Sequence, residues 1–169
     1  MRGLSECDVV AVSGGSSVGE RDLMANVVAQ LPESQILAHG VAISPGKPTL
    51  LASVKGKALF VLPGHPVSAM IIAEVFLLAF LRHLEGEAVA PGSAGRTVEA
   101  VLGTSIPSVQ GREEYVRVRL EFKEARRYAH PVFGKSSMLS TMVRSDGLVR
   151  VPIHAEGIAG GENVEVILF

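Results

Sequence analysis

Continuous runs of apolar residues mark the first half of the chain. Residues 9–12 and 58–62 are short, β-rich and apolar without alternation, which is the pattern of strands buried on both faces of a parallel sheet. Each run ends in a glycine-rich turn and is followed by helical spacing, over residues 23–31 and 66–84 respectively. The pattern predicts an α/β unit, with shorter strand or loop segments between the two strands.

The second half of the chain changes to alternating apolar and polar positions. Four segments within residues 98–168 follow period two and are separated by Gly, Pro and Asp turns, which predicts an antiparallel β module. Residues 86–95 are small and lack periodicity, as is typical of a linker. We therefore expect a domain over residues 1–88, a linker over 89–95 and an all-β domain over 96–169.

The predicted α/β unit is short for its class. Two clear buried strands and two helices precede the linker, whereas a doubly wound sheet needs more strands to cover both of its faces. We expect the missing strands to come from another segment or another chain, and a free sheet edge predicts an oligomer.

The composition favours a packed globular protein. The 169 residues are 47% hydrophobic and 20% charged, which argues against disorder. A net charge of −1 gives no reason to expect nucleic acid or an anionic membrane as a partner. The single cysteine, Cys7, excludes an internal disulfide and favours the cytoplasm. The most apolar stretch, residues 69–81, has 13 residues, which we interpret as a buried helix too short to span a bilayer.

The first candidate site is the small-residue turn after the first strand. Gly14, Gly15 and Gly19 permit close approach of a ligand, and the backbone N–H groups that open the following helix can bind phosphate and oxyanions. Asp22 lies near the helix start, where its carboxylate could hold a divalent cation. Equally, the glycines could form only a tight turn and Asp22 could only cap the helix.

Two further turns carry candidate residues. Pro45 and Pro48 fix the backbone around Lys47 and present its ammonium group to an anion, although a plain turn with a solvated lysine is the simpler interpretation of this loop alone. The turn at residues 63–66 offers the backbone N–H groups of residues 67–69 and the side chain of His65. A single histidine on a turn is more often solvent-exposed than functional.

In the β half, residues 111–117 and 134–142 stand out. Lys135 and the hydroxyl groups that follow it could contact a polar ligand. We favour the interpretation that these Ser and Thr residues cap a short helix before Asp146.

Taken together, these motifs resemble the molybdopterin molybdenumtransferase family, of the MoeA and gephyrin type. The matching segments are residues 13–22, 39–48, 62–69, 136–140 and 145–147, so the resemblance covers nearly the whole chain. It implies a molybdopterin-binding three-layer α/β/α domain, N-terminally truncated, followed by a small all-β barrel-like domain. It also implies insertion of molybdate into adenylylated molybdopterin, with release of AMP and dependence on Mg²⁺.

The resemblance also implies roles for individual residues. Asp22 would hold the metal or assist the adenylate, and Lys47 would hold the anionic substrate, so these two are the catalytic candidates. The substrate-binding candidates are Ser13, Gly14, Gly15, Ser16, Ser17, Gly19, Pro45, Gly46, Pro48, Pro63, Gly64, His65, Pro66 and Ser68.

The chain departs from the family pattern in two respects. It matches the C-terminal portion of longer proteins, and His65 stands where Asn is usual. We expect complementing N-terminal domains or a homo-oligomer as macromolecular partners, and a pterin nucleotide and molybdate as small-molecule partners. The alternatives are a non-catalytic pterin- or nucleotide-binding module and an inactive truncated product.

Overall fold

A four-stranded mixed sheet forms the first part of the molecule, in a computed structural model that describes residues 2–14, 21–88 and 95–169. The strand order is β1-β5-β4-β2, with β1 parallel to β5 and the other pairs antiparallel. The elements of this part are α1 Arg2–Glu6, β1 Val9–Ser13, α2 Arg21–Ala29, β2 Ser34–His39, β3 Ile43–Ser44, β4 Leu50–Val54 and β5 Lys57–Leu62.

The two predicted buried strands are present, but only one of them is buried. The last four residues of β5 are buried, whereas no residue of β1 is. In the described sheet β1 is an edge strand, so the expectation of burial on both faces was wrong for it. The sheet is also not wholly parallel, because a tight turn through Lys55 and Gly56 joins β4 to β5 and such a turn connects only antiparallel strands.

The predicted long helix is confirmed over Pro66–Leu84. It consists of α3 Pro66–Ile72, a π-helical segment Ala73–Leu78 and α4 Ala79–Leu84. Pro66 occupies the first turn, where its missing N–H costs no hydrogen bond. The wider π-helical turn was not predicted from the apolar spacing.

The length argument against a membrane span does not hold for this helix. It has 19 residues and a mean hydropathy of 1.9, so by length and composition it could cross a membrane. In the structure Val67, Ile71 and Ile72 are buried in a protein core, and the core helix of a globular protein meets the same criteria of length and composition.

The second part of the molecule is a closed β-barrel, as the fold prediction required. Its ring runs β10-β12-β6-β9-β8 and closes because β8 also pairs with β10. Most pairs are antiparallel as predicted, but β6 and β9 are parallel, and β9 was not predicted at all. The strands of this part are β6 Thr97–Leu102, β7 Ile106–Pro107, β8 Glu113–Lys123, β9 Arg126–Pro131, β10 Gly147–Val151, β11 Gly157–Ile158 and β12 Asn163–Leu168.

One hydrophobic core is shared by the two parts. Ile71 and Val75 of the long helix belong to the same buried cluster as Phe60 of β5 and Leu148 and Ile167 of the barrel. The short strand β3 is not part of the first sheet, and it pairs in parallel with β8 of the barrel. The division into domains at residues 89–95 stays a prediction, and residues 89–94 lie outside the described ranges.

The short helix expected before Asp146 is present as α5, Ser140–Val143. The expected Ser or Thr cap is wrong, since Leu139 occupies the N-cap position and makes no side-chain capping bond. Thr141 instead donates its hydroxyl proton back to the carbonyl of Met138, at 2.7 Å. Its side chain therefore stabilises the turn that precedes the helix.

Candidate functional site

Two of the predicted turns meet at one edge of the sheet. Because β1 and β5 are parallel and Ser13 is level with Leu62, both strands end side by side. Gly14 donates its N–H to the carbonyl of Leu62 at 3.5 Å, and a Cβ on Gly64 would lie 3.8 Å from the Gly14 Cα. The predictions on Gly15, Ser16, Ser17 and Gly19 fall outside the described residues, as does the side chain of Asp22.

A cleft of about 1180 Å³ opens beside these turns, between the sheet and the barrel. Its walls are residues 39–48, 63–65 and 68 from the first part, and residues 109–112 and 136 from the barrel. The structure thus brings eight predicted site residues into one cleft: Pro45, Gly46, Lys47, Pro48, Pro63, Gly64, His65 and Ser68. Pro66 is exposed at the start of the helix and does not line the cleft.

The loop that carries Lys47 is held from several sides. Gly46 is buried against Ile72, and its carbonyl accepts a 2.6 Å hydrogen bond from the hydroxyl of buried Thr49. The carbonyl of Lys47 accepts the N–H of Val41 at 3.0 Å. The Lys47 side chain is exposed, but the backbone that carries it is held by these contacts. This supports the prediction that the loop presents the ammonium group rigidly.

The turn at residues 63–66 offers fewer backbone donors than we predicted. The N–H of Val67 donates to the carbonyl of Ser136 at 3.2 Å, and that of Ala69 donates to His65 at 2.9 Å. Two of the three N–H groups expected to face an anion are therefore occupied by protein carbonyls. The buried Ser68 side chain lines the cleft at this point.

Arg112 and Ser136 are polar residues of the barrel that line the cleft and that the sequence did not assign to the site. Arg112 lies in the loop before β8, and Ser136 lies in the loop after β9. The Ser136 hydroxyl is 3.3 Å from Nδ1 of His65, so it joins the two sides of the cleft. The sequence singled out both segments, but no local sequence pattern indicated that they line the same cleft as Lys47.

The described lining of the cleft is basic. It contains Lys47, Arg112, His39 and His65 and includes no Asp or Glu. The carboxylate of Glu114 lies 3.9 Å from the Arg112 guanidinium but is not part of this lining. Such a surface favours an anionic ligand, because guanidinium and ammonium groups form strong hydrogen bonds to carboxylate, phosphate and similar oxyanions.

The described side chains form no preformed metal centre. Across the described ranges no group of three or more His, Cys, Asp or Glu side chains is placed to hold a metal ion, and Mg²⁺ needs oxygen ligands such as carboxylates. The assignment of a metal to Asp22 stays a prediction, since that side chain lies outside the described part of the chain.

Fold and cleft together define an α/β unit joined to a β-barrel, with a basic cleft at the carboxyl ends of parallel strands. Two protein-family models match the chain. Residues 1–83 match "Probable molybdopterin binding domain", and residues 99–169 match "MoeA C-terminal region (domain IV)". The chain belongs to the MoeA family of molybdopterin molybdenumtransferases.

Individual relatives agree with the family models. The chain is 30% identical to molybdopterin molybdenumtransferase 1 of Mycobacterium tuberculosis in an alignment 171 positions long, gaps included, which covers 96% of this chain and 39% of that protein. It is 35% identical to the molybdenum cofactor synthesis protein cinnamon of Drosophila melanogaster over 147 residues, 86% of this chain and 24% of that protein.

A solved structure supports the same fold. The MoeA protein of Pyrococcus horikoshii matches 99% of this chain with a TM-score of 0.79 and 32% sequence identity, and the match covers 38% of that protein. This chain spans less than two fifths of the length of the curated relatives and solved proteins named here.

Proposed function

We propose that this chain takes part in molybdenum cofactor biosynthesis, as the portion of a molybdenumtransferase that holds the anionic groups of its substrates. The reaction would insert molybdate into adenylylated molybdopterin and release AMP. The observation that carries the proposal is the cleft, whose described lining contains Lys47 and Arg112 and no carboxylate. Membership of the MoeA family supplies the substrate class.

Five polar residues of the cleft have a role in this proposal. Lys47 from the first part and Arg112 from the barrel attract and hold an oxyanion, because ammonium and guanidinium groups are cationic donors. Ser68 and Ser136 supply neutral hydroxyl donors, which orient the anion without adding charge. Nδ1 of His65 lies 3.3 Å from the Ser136 hydroxyl oxygen. In the tautomer with its proton on Nδ1, His65 donates to that oxygen and leaves the Ser136 hydroxyl proton for the anion.

The glycine-rich turn at residues 13–19 would hold a phosphate of the pterin nucleotide. Support comes from its position, since its first residues lie at the strand end next to Gly64. Asp22 is proposed as the carboxylate that serves the metal or the adenylate, on the strength of the family resemblance alone. No step of the proposal depends on Mg²⁺.

We propose the transferase activity for an assembly larger than this chain. The relatives named above are more than twice as long, and β1 leaves one edge unpaired in the described sheet. A free edge with apolar residues can accept a further strand, from complementing N-terminal domains or from a second copy. We place this assembly in the cytoplasm, where the single Cys7 stays reduced.

Substitution of the two cations tests the anion site. Lys47→Ala and Arg112→Ala should each weaken binding of molybdate by about tenfold or more, since a charge-assisted hydrogen bond contributes about 1.5–3 kcal/mol. Isothermal titration calorimetry of each variant measures this. Lys123→Ala removes an exposed lysine at the far end of β8 and is the matched control. Unchanged affinity in both cleft variants would remove these residues from the site.

A further inference from the structure

The hairpin formed by β8 and β9 projects from the barrel. The ring contacts of β8 with β10 end at Val118, and those of β9 with β6 cover only residues 128–129. The two strands continue to pair with each other as far as Lys123 and Arg126. Residues 121–127, which we call the arm, are exposed. The arm is therefore a preformed two-stranded ribbon with no other strand beside it in the described part of the chain.

The positive charge of the arm is unpaired within the described ranges. Four cations of the arm and its base take part in none of the ion pairs found there: Arg119, Lys123, Arg126 and Arg127. Of the two carboxylates of the arm, Glu121 lies 3.0 Å from Nε2 of His130, and Glu124 lies in the turn. The whole chain has a net charge of −1, so this basic surface is a local feature.

A notch opens in the barrel wall where β6 and β9 diverge. It has a volume of about 330 Å³ and is lined by Arg126 and Arg127, by residues 99–101 of β6 and by Asn163 of β12. Across it, Nη1 of Arg127 donates to the carbonyl of Glu99 at 3.2 Å. The notch and the basic cleft have no described lining residue in common, so the notch is a separate site.

The strand edges that face the notch lack strand partners. β6 and β9 pair only at residues 101–102 and 128–129. Residues 97–100 of β6 and residues 126–127 of β9 therefore have no described strand on the sides that face each other. An open β edge presents backbone N–H and C=O groups that pair with an added strand. The notch thus offers an extended peptide the hydrogen bonds of a sheet.

The side chains around these edges favour an acidic peptide. The described lining holds two guanidinium groups, those of Arg126 and Arg127, against one carboxylate, that of Glu99. Phe122 is 73% exposed and lies directly opposite Arg127 on the adjacent strand, and aromatic and arginine side chains are common anchors of interfaces. A nucleic acid would also match the cations, but a phosphodiester chain has no amide groups with which to continue a β ladder.

We infer that the notch and the arm form a docking site for an acidic, extended segment of a partner protein. The segment adds a strand at the open edge between β6 and β9, and its carboxylates contact Arg126 and Arg127. Phe122 gives the partner an apolar contact beside these charges. This site is separate from the proposed transferase function, and neither depends on the other.

Fluorescence anisotropy with a labelled peptide of alternating Glu and Val tests the site. The wild-type chain should bind the peptide, and Arg126→Gln combined with Arg127→Gln should weaken binding by about tenfold or more, because charge-assisted hydrogen bonds are lost. Added NaCl should weaken binding by the wild type. Arg2→Gln combined with Arg144→Gln removes the same charge at exposed positions elsewhere, and this control should bind as the wild type does.

A second peptide tests the addition of a strand. With Pro in place of each Val, the peptide keeps its carboxylates but loses backbone N–H donors that a ladder needs. It should bind about tenfold more weakly than the first peptide, or not at all. Equal affinity for the two peptides would show contact through charge alone and would overturn the inference.

Other outcomes would also overturn the docking site. One is failure of the wild type to bind the Glu-Val peptide, and another is undiminished binding by the folded double variant. If that variant does not fold, Arg126→Gln alone makes the comparison, because the Arg126 side chain has no hydrogen bond or ion pair among the described residues. Binding of labelled oligouridylate in place of the peptide would assign the arm to nucleic acid. A dimer in sedimentation that the arginine variant loses would assign it to a second copy of the chain.

Discussion

Gly46 determines where Lys47 stands in the cleft. Its φ of +139° lies in a region that side chains rarely adopt, and a Cβ at this position would lie 2.4 Å from Cδ1 of Ile72. Only a glycine lets the loop pack this closely on the helix. The resulting contact ties the position of the cleft cation to the hydrophobic core.

Replacement of Gly46 tests this contact. Gly46→Ala should lower the free energy of unfolding by about 1–3 kcal/mol, because Ile72 must move and the backbone is strained. Urea unfolding followed by circular dichroism measures the loss. Gly56→Ala is the control, since it has a φ of +74° but nothing within 4 Å of the added Cβ. Equal losses in the two variants would show that the contact with Ile72 contributes nothing.

Residues of the cleft differ in how far the sequence could predict them. The prolines around Lys47 form a local signal, and the structure places that loop in the cleft. Arg112 reaches the same cleft because β3 pairs with β8, with Ile43 level with Glu113. This pairing joins segments about 70 residues apart and rests on tertiary contacts, which short motifs do not report.

At the scale of elements, prediction succeeded where the apolar pattern was strong. The long helix and the strands β5, β8, β10 and β12 all follow it. β9 was missed because its sequence, Arg-Arg-Tyr-Ala-His-Pro, is polar and ends in a proline. β1 was predicted to be buried on both faces, but it is an edge strand of the described sheet. A short apolar run does not show whether a strand has a neighbouring strand on each side.

The hairpin between β8 and β9 offers a test of local strain. Its two turn residues, Glu124 and Ala125, have φ values of +52° and +59°, as a type I′ turn requires, and that turn favours Asn-Gly. The double variant Glu124→Asn, Ala125→Gly should raise the free energy of unfolding by about 1 kcal/mol, measured by urea titration. The same pair of changes at exposed Glu156 and Ala159 should not stabilise the protein. A loss of stability in the hairpin variant would contradict the assigned turn.

At the scale of the whole molecule, the two parts behave as one packed unit in the described ranges. Residues from the helix, β5 and the barrel share a core, and the cleft lies where sheet and barrel meet. The change from helical to alternating pattern predicted the two architectures. It could not predict their shared core, because a buried helix residue has the same apolar character whichever neighbour it contacts.

Glu74 marks the surface between the two parts. It lies on the long helix, with Oε1 3.4 Å from where a Cβ on Gly95 would stand at the start of the barrel. Burial raises the pKa of its carboxyl, opposed in part by Arg82. The Glu74 carboxyl is therefore partly removed from water where the helix faces the first residues of the barrel.

The measurement that tests the account most directly is AMP release from adenylylated molybdopterin in the presence of molybdate. We would assay this chain alone, the N-terminal domains of the Pyrococcus horikoshii relative alone, and the two together. The account predicts release with the two together, and its loss when Lys47→Ala replaces the wild-type chain. Absence of release in every combination, with molybdate still bound, would contradict the transferase and leave a non-catalytic binding module.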